Sequence, residues 1–232
     1  MIYLAAMRAK SATAATEPPV DGQDRRSRHR ERRRDQVFEA AVELFTEQGY
    51  DNTTMDEIAE RADVARGTVF NHFTRKVEFL NEWAKRRREK AYAAVHAEHL
   101  DDHSVGEILS RYMTELARIS INTRRETVSL LTAALSSTNL LAHPEMAGEM
   151  SKYVLRGKTR GEVYDDVDAE QAGLLVATGY FAILINWLDS EPEPFDLTRA
   201  LTDMVHLMLR GMATPSVVAP VVEAKPAPRR RR

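Results

Sequence analysis

The chain's 232 residues, 43% hydrophobic and 29% charged, are enough to bury one large core or two small ones. No cysteine occurs, which excludes disulfides and thiolate metal sites and suits a reducing compartment. The net charge of −2 hides an asymmetry: residues 25–90 hold 16 Lys or Arg against 13 Asp or Glu, and residues 101–214 hold 10 against 17. A basic head on an acidic body is what a nucleic-acid-binding domain attached to a different kind of domain should show.

Residues 1–24 are rich in Ala, Thr, Pro and Gly without periodicity, so a disordered extension is expected. The opening MIYLAAMRAK lacks the basic start and long apolar core of a secretion signal, and a cytoplasmic protein is expected, with translation starting at Met1 or Met7. The run RRSRHRERRR at 25–34 reads as a basic arm for phosphates or a minor groove, with a solvated helix start as the alternative. A helix follows that puts Val37, Ala40, Ala41, Leu44 and Phe45 on one face and stops at Gly49.

Residues 53–80 are the most specific stretch. Thr54 and Glu57 form a capping box, in which each side chain satisfies a backbone N–H at a helix start. Met55, Ile58, Ala59 and Ala62 then share one helical face. Asp63-Val64-Ala65 makes a tight turn, Asp tolerating the left-handed backbone. The next helix starts at Arg66 and buries Val69 and Phe73, leaving Arg66, Thr68, Asn71 and His72 facing outward. Gly67 near its start suits a backbone that approaches another surface closely. A short helix with a polar outer face of this kind fits the DNA major groove.

Thr54, Ile58, Ala59, Ala62, Val64, Gly67, Thr68, Phe70, His72, Phe73, Lys76 and Leu80 stand at the spacing of a known module. With the upstream helix ending at Phe45 and the turn Gly49-Tyr50, residues 30–82 resemble the DNA-binding domain of the TetR family of bacterial regulators. The family often has Gly where Asp63 stands. It often has Tyr where Phe70 stands, so one phenolic phosphate contact is absent. The resemblance and the residue chemistry give Thr53, Thr54, Arg66, Gly67, Thr68, Asn71, His72 and Lys76 as the expected DNA-binding set. Arg66 and Asn71 are the expected base readers, guanidinium for guanine and amide for adenine. Thr53, His72 and Lys76 are expected to hold the phosphate backbone.

A long helix is expected from Arg75 through Trp83 and Tyr92 to about Leu100, with the KRRREK run at 85–90 as a solvated face. His96, His99 and His103, among Glu98, Asp101 and Asp102, make a metal-like cluster, although a solvated helix end has the same composition. Further helices are predicted over Val105–Arg118, Glu126–Leu141, Pro144–Arg160, Asp168–Leu188 and Asp196–Arg210, with no run of β-type alternation. Ala172–Leu188 carries no charge over 17 positions. That falls short of the roughly 20 apolar residues of a membrane span, so a buried helix and no membrane association are expected. The tail from 213 to 232 is Pro-broken and ends in four arginines, again read as disordered.

The expected fold is all-α: a three-helix helix-turn-helix DNA-binding domain at 25–80 and a larger helical effector-binding and dimerisation domain at 81–212. The resemblance implies a homodimer in which the last two helices pair as a four-helix bundle, with Gly173, Ala177, Tyr180, Leu184, Trp187, Leu201, Val205 and Met208 at the interface. It also implies an effector pocket, placed around Tyr112, Met113, Leu116, Leu131, Leu135, Tyr180 and Phe181 and suited to a small hydrophobic or aromatic molecule. No constellation for catalysis is visible, and neither cofactor nor resident metal is expected. The function implied is a regulator of double-stranded DNA at a palindromic operator, most simply a ligand-released repressor. The alternatives are an activator or architectural protein with the same head, or a metal-responsive regulator using the histidines.

Overall fold

The computed structural model describes residues 21–97, 103–137 and 144–210, and within them every regular element is a helix. They are α1 (Asp21–Gln48), α2 (Met55–Arg61), α3 (Arg66–His72), α4 (Val77–His96), α5 (Val105–Asn122), α6 (Arg124–Ser137), α7 (Pro144–Thr159), α8 (Ala169–Leu188) and α9 (Leu197–Arg210). The expected tail at 213–232 and residues 1–20 lie outside the described residues.

Local chemistry accounts for the boundaries. α1 ends where Gly49 takes φ +87°, and the α2–α3 turn has Asp63 at φ 49°, the left-handed backbone expected there. The Thr54–Glu57 capping box opens α2, and a second one, Ser104–Glu107, opens α5. Asp168 caps α8 by accepting from the N–H groups of Glu170 and Gln171. Two boundaries correct the sequence reading. α1 begins at Asp21, so the basic run at 25–34 is a helical extension and not a separate arm; neither Gly nor Pro interrupts residues 23–48. α5 runs on to Asn122 because Ile119 and Ser120 bury against the core.

α1, α2 and α3 enclose a small core closed from below by α4. Phe79, in the first turn of α4, is fully buried. Its ring stacks on Phe73 at 4.1 Å and meets Phe45 edge-on at 6.0 Å. A charged joint lies beside it. Arg34 of α1 grips Glu82 of α4 bidentately, at 3.1 and 2.7 Å, while Arg86 bonds Glu82 at 2.9 Å and Asp35 at 2.5 Å. The KRRREK run is therefore a solvated face only at Lys85, Glu89 and Lys90. Arg87 is buried, donating to Ser120 and Thr123 with its guanidinium over the Trp83 ring.

In the second domain α5 is central, touching α4, α7 and α9, and α7 lies along α8. Gly173 is what lets α7 and α8 approach: a Cβ there would stand 2.5 Å from the Ala147 carbonyl oxygen and 2.6 Å from the Ser151 nitrogen. Gly179 plays the same part toward Met204 of α9. These contacts are internal, which corrects the expected dimer interface. Gly173, Ala177, Tyr180, Leu184, Trp187, Leu201 and Val205 are all buried within the single chain, and only Met208 of that set is exposed. α8 has the length and hydropathy of a membrane span, but its inward face is packed against α7 and α9.

Gly173→Ala is expected to cost about 1–3 kcal/mol in urea unfolding, because backbone atoms, not flexible tips, block the added methyl. Gly148→Ala in α7, where a Cβ would meet nothing within 4 Å, should be neutral or stabilising by up to about 1 kcal/mol. Equal effects at the two positions would refute this account of the α7–α8 contact.

Candidate nucleic-acid interface and central cleft

α2 and α3 present the outer face that the sequence pattern implies. Ile58, Ala59, Ala62, Val69 and Phe73 point inward, while Arg66, Gly67 and Asn71 are exposed and Thr68 and His72 half-exposed. Nothing lies within 4 Å of where a Cβ of Gly67 would stand, so this part of α3 is open to an approaching surface. Arg66 pairs with Asp56 at 2.9 Å and lies 5.5 Å over the exposed ring of Phe70. Both charges are more than half exposed, and a pair of that kind contributes little stability. Arg66 can therefore leave Asp56 for another acceptor at small cost.

His72 closes the face. Its burial, and then the positive charges of Arg30, Arg34 and Arg33, hold its pKa below the usual histidine value. The imidazole is thus neutral at pH 7 and offers a hydrogen bond, not a charge. These charges lie on the basic extension of α1, which therefore runs beside the end of α3. The side-chain cap of α2 occupies the Thr54 hydroxyl, which accepts from the Glu57 N–H and donates to the Glu57 carboxylate.

Two expected phosphate holders are used otherwise. Thr53 is buried, and its hydroxyl donates to the Gly49 carbonyl at 2.8 Å. The Lys76 ammonium donates to the carbonyls of Tyr50 at 2.6 Å, Thr53 at 3.0 Å and Asp51 at 3.4 Å, and sits 4.3 Å from the Tyr50 ring centroid. An ammonium has three N–H donors, and here all three are directed at the loop between α1 and α2. Sequence position alone could not separate a phosphate ligand from a loop clamp, since both call for a cation at the start of α4.

The expected effector pocket is only partly assembled. Leu116, Leu131, Tyr180 and Phe181 border one small void with Trp83, Arg88 and Met146, but its volume is about 30 Å³, room for about one water. Tyr112 and Met113 are buried without bordering it, and Leu135 is exposed on α6. A much larger cleft, about 1030 Å³, runs between α4 and α7. It reaches from Arg34, His72 and Phe73 of the first domain to Glu149 and Tyr153 of the second. Arg88 borders both spaces. Of the histidine cluster, His96 bonds the Tyr92 carbonyl and stacks on its ring, His103 faces Arg111, and His99 lies outside the described residues. Among the described residues no group of three His, Asp or Glu gathers at metal-binding distance.

Lys76→Ala is expected to lower folding stability by about 1–3 kcal/mol through loss of the loop clamp. It should leave the salt dependence of DNA binding unchanged, because no released counterion belongs to it. A salt slope shallower by about one would instead restore Lys76 as a phosphate ligand.

Comparison with known proteins agrees with this geometry. Residues 37–83 match the family model described as bacterial regulatory proteins, tetR family. The transcriptional regulator AcrR of Shigella flexneri is 25% identical over 208 residues, covering 76% of this chain and 87% of its own. The transcriptional repressor KstR of Mycolicibacterium smegmatis is 24% identical, with 80% and 91% covered. The regulator TcmR of Streptomyces glaucescens is 41% identical, but over 70 residues that span 30% of this chain and 31% of TcmR. Among solved structures, FadR of Thermus thermophilus in complex with lauroyl-CoA superposes with a TM-score of 0.61 at 25% identity, covering 81% of this chain and 99% of that one. With the helix-turn-helix geometry in place, residues 37–83 form a DNA-binding domain of the TetR type, and the relatives that align along both domains are transcriptional regulators.

Proposed function

We propose that the chain is a homodimeric repressor that reads a palindromic operator and is released by a small molecule bound in the second domain. The carrying observation is the joint between the halves: α4 both walls the 1030 Å³ cleft and is tied to α1 and α3 through Glu82 and Phe79. A ligand that prefers one setting of α4 shifts the population of the DNA-binding setting by its differential affinity. KstR is named as a repressor, and the Thermus thermophilus FadR holds lauroyl-CoA, which supports a ligand-responsive repressor here. FasR of Mycolicibacterium smegmatis, 36% identical over 85 residues, is named an activator, so the sign of control is the part most in need of test.

Within this reading Arg66 and Asn71 read bases, Thr68 and His72 help to position α3, and Gly67 admits the close approach. Thr54 serves through its cap. Two α3 helices about 34–36 Å apart would meet successive major grooves. The dimer forms through the faces that the chain leaves uncovered: Leu174 and Leu175 on α8, and Leu207 and Met208 on α9, all large apolar side chains exposed to water. Leu175 and Met208 border one groove, which makes the patch continuous across the two helices.

Footprinting across the promoters flanking the gene that encodes this chain should give one palindromic site overlapping a promoter core, and diffuse coverage would favour an architectural role. Arg66→Ala should cut discrimination between operator variants by about 1–3 kcal/mol while retaining non-specific affinity; unchanged discrimination removes Arg66 as a reader. Leu175→Glu should turn the dimer into a folded monomer in light scattering, and a persisting dimer would place the interface elsewhere.

A further inference from the structure

One buried polar group in the second domain is only half used. Glu149 of α7 accepts a hydrogen bond from the Tyr112 hydroxyl at 2.8 Å through Oε2, while its Oε1 is buried with no partner. One helical turn on, Tyr153 is 6% exposed, and its hydroxyl is likewise buried without a partner. Both residues line the α4–α7 cleft. Leaving two such atoms unmade costs free energy at each, which a folded chain tolerates mainly where something else supplies the missing bonds.

The surroundings define what could supply them. Flat aromatic faces border the two atoms: Tyr92 and His96 stack at 3.6 Å, His96 lies 6.2 Å from Tyr153, and Tyr112 meets Tyr153 at 6.2 Å in an edge-on arrangement. The charges around Glu149 come from two helices. Arg88 and His96 on α4, and Lys152 on α7, favour its carboxylate, whereas burial raises its pKa. A cationic ligand would meet that positive ring, and an anionic one would meet the carboxylate itself. A neutral group that both donates and accepts escapes both penalties.

We propose that Glu149 and Tyr153 form the recognition end of the effector site and take a neutral hydroxyl borne on a flat aromatic ring, as in a phenol or polyphenol. The ligand hydroxyl donates to Glu149 Oε1 and accepts from Tyr153 Oη, and its ring packs against Tyr92 and His96 in the cleft wall. Both recognition atoms are covered in the unliganded chain, so binding takes a side-chain movement at the cleft wall. A site that hydrogen-bonds a hydroxyl rejects the analogue that lacks it far more strongly than an apolar pocket rejects an extra methylene. The proposal rests on reading the second domain as an effector domain.

Calorimetric titration of the full chain with four naphthalenes tests it: 2-naphthol, 2-methoxynaphthalene, 2-naphthoate and 1-naphthylmethylamine. 2-Naphthol should bind, and the other three should bind at least about tenfold more weakly. Glu149→Gln and Tyr153→Phe, both near-isosteric, should each weaken 2-naphthol about tenfold without lowering the melting temperature. No heat from 2-naphthol, tighter binding of the amine, or parent-like affinity in both variants would overturn the assignment. Operator binding measured in parallel separates the two readings. If 2-naphthol binds as described but DNA stays bound, the site stands and ligand-released repression falls. If another compound releases DNA equally from parent and both variants, the repressor stands and this site falls.

Discussion

The carboxylate of Glu82 is the point on which the two halves of this molecule depend. It is nearly sealed from solvent and faces two guanidinium groups, Arg34 from the DNA-binding domain and Arg86 from its own helix. Burial alone would favour protonation, but the hydrogen bonds and charges of Arg86 and Arg34 outweigh it, so the pKa falls below the usual carboxylate range. Its contribution is therefore present above the unfolded carboxylate's pKa and lost as pH falls through the depressed folded value. The guanidinium groups are also packed, Arg34 over Phe73 at 5.1 Å and Arg86 over Phe38 at 4.0 Å, so the joint is electrostatic and apolar at once.

A joint of this kind makes α1, α3 and the first half of α4 one body. Phe79 fixes the rings of Phe45 and Phe73, and Lys76 fixes the α1–α2 loop. The second half of α4 instead faces the cleft, with Arg88, Tyr92 and His96 on its wall. In the proposed regulator, displacement of that half would be carried to α3 through these contacts, and both sites would bias the same helix.

Much of this was legible in the sequence because it is local. The Thr54–Glu57 cap, the left-handed Asp63, the Gly49 stop and the Asp168 cap are written in adjacent residues, so helix order and the helix-turn-helix follow directly. What could not be read was partnership across the fold. Gly173 was legible as a small residue at a helix contact, but not that the contact is internal. Lys76 and Arg87 were legible as cations, but whether they face phosphate, carbonyls or hydroxyls depends on residues 23 to 36 positions away. Glu149 and Tyr153 gave no sign, because they share a helical face with Glu145, Lys152 and Arg156 and read as part of a charged surface.

Gly148 adds a consequence for how such a protein diversifies. It lies in the wall of the cleft, and space is open where its side chain would be. Glycine in mid-helix costs about 1 kcal/mol relative to alanine. An alanine there would extend into the cleft without meeting a neighbour, and would improve the helix while reducing the room. A single codon can thus narrow the cleft and stabilise the chain together. Under the proposed reading, descendants of this chain could change effector size through that one position while the DNA-reading half stays as it is.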